Sequence, residues 1–249
     1  MTHATQCFSI NIITAIVFLF ISRYSASACN FSVKIEQGLR NEGFHRNMTY
    51  TIIFDNSEDY EGLHRECILA LEQTLPSGIY ANPDELGDLR RIDRLNAIPK
   101  KRINIELPAE YSEPSGVFII SKVTTDKVEV WVPVHARYHM AAVNGGTFRN
   151  DIAPPKLYLR CPDQRLEACN MPVSPSAMYL CNGHSVAKCN WKEIPFTMMT
   201  DTLIWLVPVG NLNHFHLVAI STTVVVVVGS LYLLKSIHQH KVAIRRRRL

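Results

Sequence analysis

The sequence predicts a mainly β protein: an antiparallel β-sandwich-like domain with one short helix, plus a single C-terminal transmembrane helix. Three observations carry that expectation. Apolar and polar residues alternate with period two through much of the chain. One short segment alone carries helix-end chemistry. Residues 217–234, LVAISTTVVVVVGSLYLL, run for eighteen positions without a charge. As a helix they would rise about 27 Å, close to the roughly 30 Å hydrocarbon core of a bilayer.

The elements follow in order. Residues 8–21, FSINIITAIVFLFI, are apolar except for Ser9, Asn11 and Thr14, and Ala26-Ser27-Ala28 offers the small-x-small pattern of a cleavage site. Residues 1–28 are therefore expected to be a signal peptide, with an uncleaved anchor as the alternative. Residues 29–214 then form the exported β-rich domain. Phe31, Val33 and Ile35 alternate with Asn30, Ser32, Lys34 and Glu36, as in a half-buried strand. Met48 to Phe54 is β-branched and aromatic, a second strand. Cys67, Leu69 and Leu71 face opposite to Ile68, Ala70 and Glu72. Pro83 to Leu95 reads as the helix, with Asp84 and Glu85 near its start and Arg90, Arg91 and Arg94 near its end. Val117–Val123 and Val128–Val134, joined by Thr124-Thr125-Asp126-Lys127, read as a hairpin. Further strands are expected at 103–107, 156–161 and 203–208. Asn211-Leu212-Asn213 reads as a short polar hinge, followed by the span at 215–234 and a basic tail at 235–249.

Charge sets the topology. The tail holds Lys235, Lys241 and Arg245 to Arg248 with no acidic residue, the excess expected on the cytoplasmic side of a span. The exported bulk is then lumenal or extracellular, a type I arrangement. The same arginines also suit lipid headgroups or a retention signal for the endoplasmic reticulum. The formal net charge is +4, but six of the 26 Lys and Arg lie in the tail and Arg23 in the leader, leaving 19 against all 22 Asp and Glu. The exported part is acidic on balance, so nucleic acid is not an expected partner.

Six cysteines remain beyond the leader's Cys7: Cys29, Cys67, Cys161, Cys169, Cys181 and Cys189. An even number in an oxidising compartment reads as up to three disulfides, with the connectivity open. Four of them fall in 161–189, at spacings too wide for structural zinc knuckles, so this segment reads as a stapled insertion between strands. Asn30-Phe31-Ser32 and Asn47-Met48-Thr49 are glycosylation sequons.

The chemical groups do not assemble into a catalytic pattern. Continuing the alternation of Val128, Val130, Val132 and Val134 places His135, Arg137 and His139 together on the opposite face. At about 3.3 Å per residue the two histidines would stand some 13 Å apart, too far to share an ion. That face is either a binding strip or a solvated strand face. No G-x-S-x-G and no D-x-D occurs; Asp59-Tyr60-Glu61 is the nearest approach to the latter. No catalytic residue, metal or cofactor is expected, and no small-molecule substrate of the chain's own.

The segment Leu75-Pro76-Ser77-Gly78-Ile79-Tyr80-Ala81-Asn82-Pro83-Asp84-Glu85-Leu86 is more distinctive. It reads as a strand end, a Pro-x-Gly turn and a helix start capped by Asn82 with Pro83 in the first turn. Together with Pro133–His139, Tyr158-Leu159-Arg160-Cys161 and Trp205–Asn211, it resembles the PIG-X family, the small subunits of glycosylphosphatidylinositol (GPI) mannosyltransferase I. The four-cysteine segment departs from the family core and leaves the partner of Cys161 open.

The resemblance implies a single-pass type I protein of the endoplasmic reticulum membrane. It implies a non-catalytic, stabilising role toward a multi-spanning catalytic subunit, PIG-M, which transfers the first mannose from dolichol-phosphate-mannose to the GPI precursor. Catalytic residues would then belong to the partner. Contact or scaffold residues would be Leu75, Pro76, Gly78, Tyr80, Pro83, Glu85, His135, Arg137, Tyr138, His139 and Trp205, with Tyr80 and Trp205 as aromatic anchors. Ser221, Thr222, Gly229 and Ser230 are small enough for helix packing within the membrane. The rival classes are a type I cell-surface receptor or adhesion protein and, more remotely, a lumenal hydrolase or transferase.

Overall fold

A computed structural model describes residues 32–55, 62, 64–161, 163, 165–167, 173–181 and 188–247. The leader, Cys29, the Asn30 sequon, Asp59-Tyr60-Glu61 and Cys169 lie outside the described residues. In chain order the elements are β1 (Ser32–Arg40), β2 (His45–Asp55), β3 (Ile68–Leu75), β4 (Ile79–Tyr80), α1 (Pro83–Arg91), β5 (Ala97–Pro99), β6 (Ser115–Lys122) and β7 (Lys127–Ala136). They continue with β8 (Gly146–Ile152), β9 (Lys156–Arg160), β10 (Val173–Leu180), β11 (Lys188–Glu193), β12 (Thr197–Met198), β13 (Leu203–Val209) and α2 (Phe215–Arg247).

Two sheets carry the domain. One has the order β12-β1-β2-β7-β4 and the other β10-β11-β9-β3-β6-β5, while β13 and β8 form a separate pair. Pairing is antiparallel except where β12 lies parallel to β1. Alternation does what the sequence promises: Val33, Ile35, Met48, Tyr50, Ile52, Val132 and Val134 from the first sheet meet Leu69, Leu71, Val117, Ile119, Leu157 and Leu159 from the second. Burying each such side chain contributes roughly 1.5–3 kcal/mol. A smaller cluster of Ala70, Ile120, Tyr158 and Trp191 covers the other side of the second sheet.

Helix α1 forms as its end chemistry predicts. The Asn82 side chain accepts from the Asp84 amide, Pro83 occupies the first turn, and Leu86 is the residue it buries. It stops at Arg91, short of the expected Leu95. Asp93 takes φ +53° and the amides of Arg94 and Leu95 both return to Leu89 O, which folds Leu95 into the core.

Two strand expectations are corrected. The 117–134 hairpin does not form: β6 pairs with β3 and β5, whereas β7 pairs with β2 and β4. The reason lies in β6, where four consecutive residues, Val117 to Ile120, are buried, two toward each side of the sheet. Such a strand sits in the interior of its sheet with neighbours on both edges. Thr124-Thr125-Asp126 instead carries the chain across to the other sheet, fixed by Val123 N to Cys67 O, Glu66 N to Val123 O and Phe54 N to Asp126 O, each 2.8 Å. The expected strand at 103–107 is an irregular loop. Its Ile105 and Leu107 carbonyls accept from the Arg137 guanidinium, and Asn104 turns the chain by accepting from the Glu106 amide.

Cys67 is joined to Cys161, tying the start of β3 to the end of β9, which run side by side. Cys181 is joined to Cys189 within the β10–β11 pair. The cysteine-rich segment therefore extends the six-stranded sheet through β10 and β11 and does not stand apart from it.

Residues 212–242 are long and apolar enough to cross a membrane. Helix α2 runs 33 residues, about 50 Å, so it continues past the apolar run into the basic segment. The polar hinge expected at 211–213 is bonded to the 142–144 loop of the domain. Ala142 donates to Gly210 O and accepts from Leu212 N, and Asn213 Nδ2 donates to Asn144 Oδ1 at 2.8 Å.

Candidate functional site

The two distinctive motifs meet in one ladder. After β3 ends at the buried Leu75, a turn closed by Ile79 N to Pro76 O delivers β4 against the end of β7. Ile79 pairs with Ala136, Tyr80 pairs with His135, and Arg137 N donates to Gly78 O at 2.8 Å. Gly78 is there for space. A Cβ on it would stand 2.1 Å from Asn150 Oδ1 and 2.9 Å from His139 Cε1.

On one side of this ladder Tyr80, Glu85 and His135 are half-buried, His45 is exposed and Arg137 is buried. The Tyr80 ring stacks with His135 at 5.2 Å, and the Arg137 guanidinium lies 4.5 Å over the same ring. Arg137 is buried and Nη1 donates to Leu107 O at 2.7 Å; burial lowers its pKa, and the Tyr80 ring opposes this. Glu85, from the first turn of α1, accepts from His135 Nε2 at 2.7 Å and lies 3.4 Å from His45 Nε2. His45 and His135 are direct partners across β2 and β7, with rings stacked at 4.2 Å.

On the other side the His139 side chain, Asn150 and Trp205 are buried, with the exposed Phe148 and Glu110 around His139. The His139 side chain is 2% exposed, stacks on Phe148 at 4.0 Å and contacts Asn150 Nδ2 through Nε2 at 3.4 Å. Its Nδ1 lies 3.7 Å from Glu110 Oε1, which accepts from Met140 N at 2.7 Å. Burial pushes the His139 pKa below its ordinary value, against the pull of Glu110. For Glu110 the order reverses: burial raises it, but the Met140 amide and His139 outweigh that and hold it low. Trp205 lies beneath, 1% exposed, with Arg46 4.9 Å over its ring.

A family model described as PIG-X / PBN1 matches residues 41–238. The chain belongs to the PIG-X / PBN1 family. A protein of Homo sapiens named "GPI alpha-1,4-mannosyltransferase I, stabilizing subunit" is 27% identical over 210 residues, covering 83% of this chain and 80% of its own length. The proteins of the same name from Rattus norvegicus and Mus musculus are each 26% identical over 211 residues, covering 83% of this chain and 82% and 81% of their own lengths.

The PIG-X resemblance thus rests on residues whose places are now visible. Tyr80, Glu85, His135 and Arg137 come together, as do Gly78, His139 and Trp205, while Leu75, Pro76 and Pro83 shape the turn between them. Two sequence expectations change. His135, Arg137 and His139 do not share one strand face, because β7 ends at Ala136 and His139 beyond it packs against Phe148 and Asn150 of β8, while Arg137 lies over Tyr80. Trp205 is core and offers no exposed anchor. Tyr138, by contrast, is 77% exposed and touches only the Phe44 ring, at 5.4 Å, among the aromatic contacts of the described residues.

Sequence reasoning missed His45, Glu110, Phe148 and Asn150. It also missed β8, although Asn144-Gly145-Gly146 is a turn signature before it, with φ of +68°, +70° and +128°. Beyond Tyr138 the loop exposes Met140 and Val143, and its bonds to residues 210–213 hold it beside the start of the span. Within the span, Ser221 Oγ donates to Leu217 O and Thr223 Oγ1 to Ala219 O, both 2.8 Å, so those hydroxyls are satisfied inside their own helix. Asn47 lies on the outward side of β2 and lines an open groove of about 510 Å³ with Arg40, Arg94 and Trp131.

Proposed function

We propose that this chain is the non-catalytic, stabilising subunit of a GPI mannosyltransferase I complex in the endoplasmic reticulum membrane. The observation that carries the proposal is the family match over residues 41–238, which takes in β2 to β13 and the apolar run of the C-terminal helix together, with relatives named as that stabilizing subunit. The partner is a PIG-M-like multi-spanning subunit that holds the active site and transfers the first mannose to the GPI precursor. The chain is single-pass and type I: residues 1–28 are a cleaved signal peptide, the β domain is lumenal with glycans at Asn30 and Asn47, and 235–249 is cytoplasmic.

The geometry suits such a role. A stabilising subunit must hold its partner in a fixed relation to the bilayer, and the bonds at 210–213 tie the segment just before the span to the domain. The exposed Tyr138, Met140 and Val143, next to the span, are the contact surface of this reading. The relatives' names weigh against the receptor or adhesion class, in which no mannosyltransferase partner is called for.

The test is a knockout complemented with the full chain. The wild-type chain should restore the level of the PIG-M-like subunit, co-purify with it and return GPI-anchored proteins to the cell surface. Its own glycans should remain sensitive to endoglycosidase H. Normal surface display in the knockout, or complex glycans on the chain, would defeat the proposal.

A further inference from the structure

We infer that His45, Glu85 and His135 form a binding site for a divalent transition-metal ion of the zinc class. One ligand atom from each lies within 4.8 Å of the other two. The three come from different elements: the first residue of β2, the first turn of α1 and the end of β7. Nothing in the catalytic reading of the complex uses them.

The donor chemistry fits. Zinc binds imidazole nitrogen and carboxylate oxygen at about 2.0–2.2 Å, so donors on one tetrahedral ion stand about 3.3 Å apart. His135 Nε2 stands 2.7 Å from Glu85 Oε2 and His45 Nε2 stands 3.4 Å from Glu85 Oε1, either side of that spacing. Both histidine backbones are paired in the β2–β7 ladder and Ala136 N donates to Phe44 O, so adjustment to an ion falls to the side chains. Two imidazoles and one carboxylate favour zinc, copper or nickel over magnesium or calcium, which take oxygen sets. The Glu85 charge offsets half that of the ion. The His45 side chain is 54% exposed, so the site opens to solvent on that side. A fourth position there takes water or a donor from a bound protein.

An ion at this place would pin the start of β2, the helix and the end of β7 to one another. Binding to the folded state alone raises the unfolding temperature, and the rise grows with the logarithm of the metal concentration above its dissociation constant.

The experiment uses the full chain in detergent, carrying no polyhistidine tag and stripped with chelator, then titrated with Zn²⁺ or Co²⁺. Micromolar Zn²⁺ should raise the unfolding temperature by several degrees, and Co²⁺ should give the visible absorption of a four- or five-coordinate site. Mg²⁺ and Ca²⁺ should do neither. His45→Ala, at an exposed position, and Glu85→Gln should each abolish both signals while leaving the metal-free unfolding temperature within a few degrees. The proposal is overturned if wild-type protein gives neither signal at micromolar metal. It is equally overturned if both signals survive in His45→Ala and disappear instead with His238→Ala and His240→Ala in α2.

Discussion

His135 and His139 lie four residues apart in one motif, yet they end in opposite surroundings. His135 stacks on Tyr80 and His45 and bonds Glu85 at the surface. His139 is shut between Phe148, Asn150 and Glu110. The backbone makes the difference: β7 pairs with β2 and β4 as far as Ala136, and Arg137 then anchors the chain to Gly78 O and Leu107 O as it turns under the β8–β13 pair. A run of residues that looks like one binding strip is thus half surface and half scaffold. For a stabilising subunit both halves matter, since a contact surface holds a partner only as firmly as the frame beneath it.

The contrast breaks most severely at Trp205. Trp205→Ala should cost about 3–5 kcal/mol of domain stability in equilibrium denaturation, because a fully buried indole leaves a cavity. A cost under about 1 kcal/mol would mean the sealed half is not core. Gly78→Ala comes next, at about 1–3 kcal/mol, since the added methyl must displace the 3%-exposed Asn150. Thermal unfolding of the variant checks this, and a neutral result would show that Asn150 and His139 have room to move.

A pH series separates the halves without a large mutation. The folded-state pKa of His139 is lowered from 6.5, so its neutral form is the one the fold prefers. Its contribution is fully present above the ordinary value and is lost as pH falls through 6.5 toward the lower folded value. The unfolding temperature should therefore drop as pH falls below about 6.5, and His139→Gln should flatten that slope. Glu110 acts in a separate window: its lowered pKa gives stability above its ordinary value of 4.5 that is lost on further acidification. An unchanged slope in His139→Gln would assign the upper transition to another group.

Tyr138→Ala should have the smallest effect on stability, within about 0.5 kcal/mol, given its exposure. It should instead weaken co-purification with the catalytic subunit. Loss of stability with intact co-purification would invert the comparison.

The fold class was legible because alternation and burial agree in β1 and β2, and the Asn82–Pro83 cap announces α1. The β6–β7 connection was not. Four residues between two apolar strands suit a hairpin locally, and only the two-sided burial of β6 makes that pairing wrong. The site was half legible for a similar reason. Motif residues announce themselves by composition, whereas His45 and Asn150 acquire their roles from strands that pair across distant parts of the chain.

The most direct test of the account quantifies the PIG-M-like subunit in cells lacking this chain, complemented with wild type, Tyr138→Ala or Trp205→Ala. The account predicts full restoration by wild type, partial restoration by Tyr138→Ala at a normal level of the chain itself, and failure by Trp205→Ala with loss of both proteins. An unchanged level of the catalytic subunit in the uncomplemented knockout would contradict it.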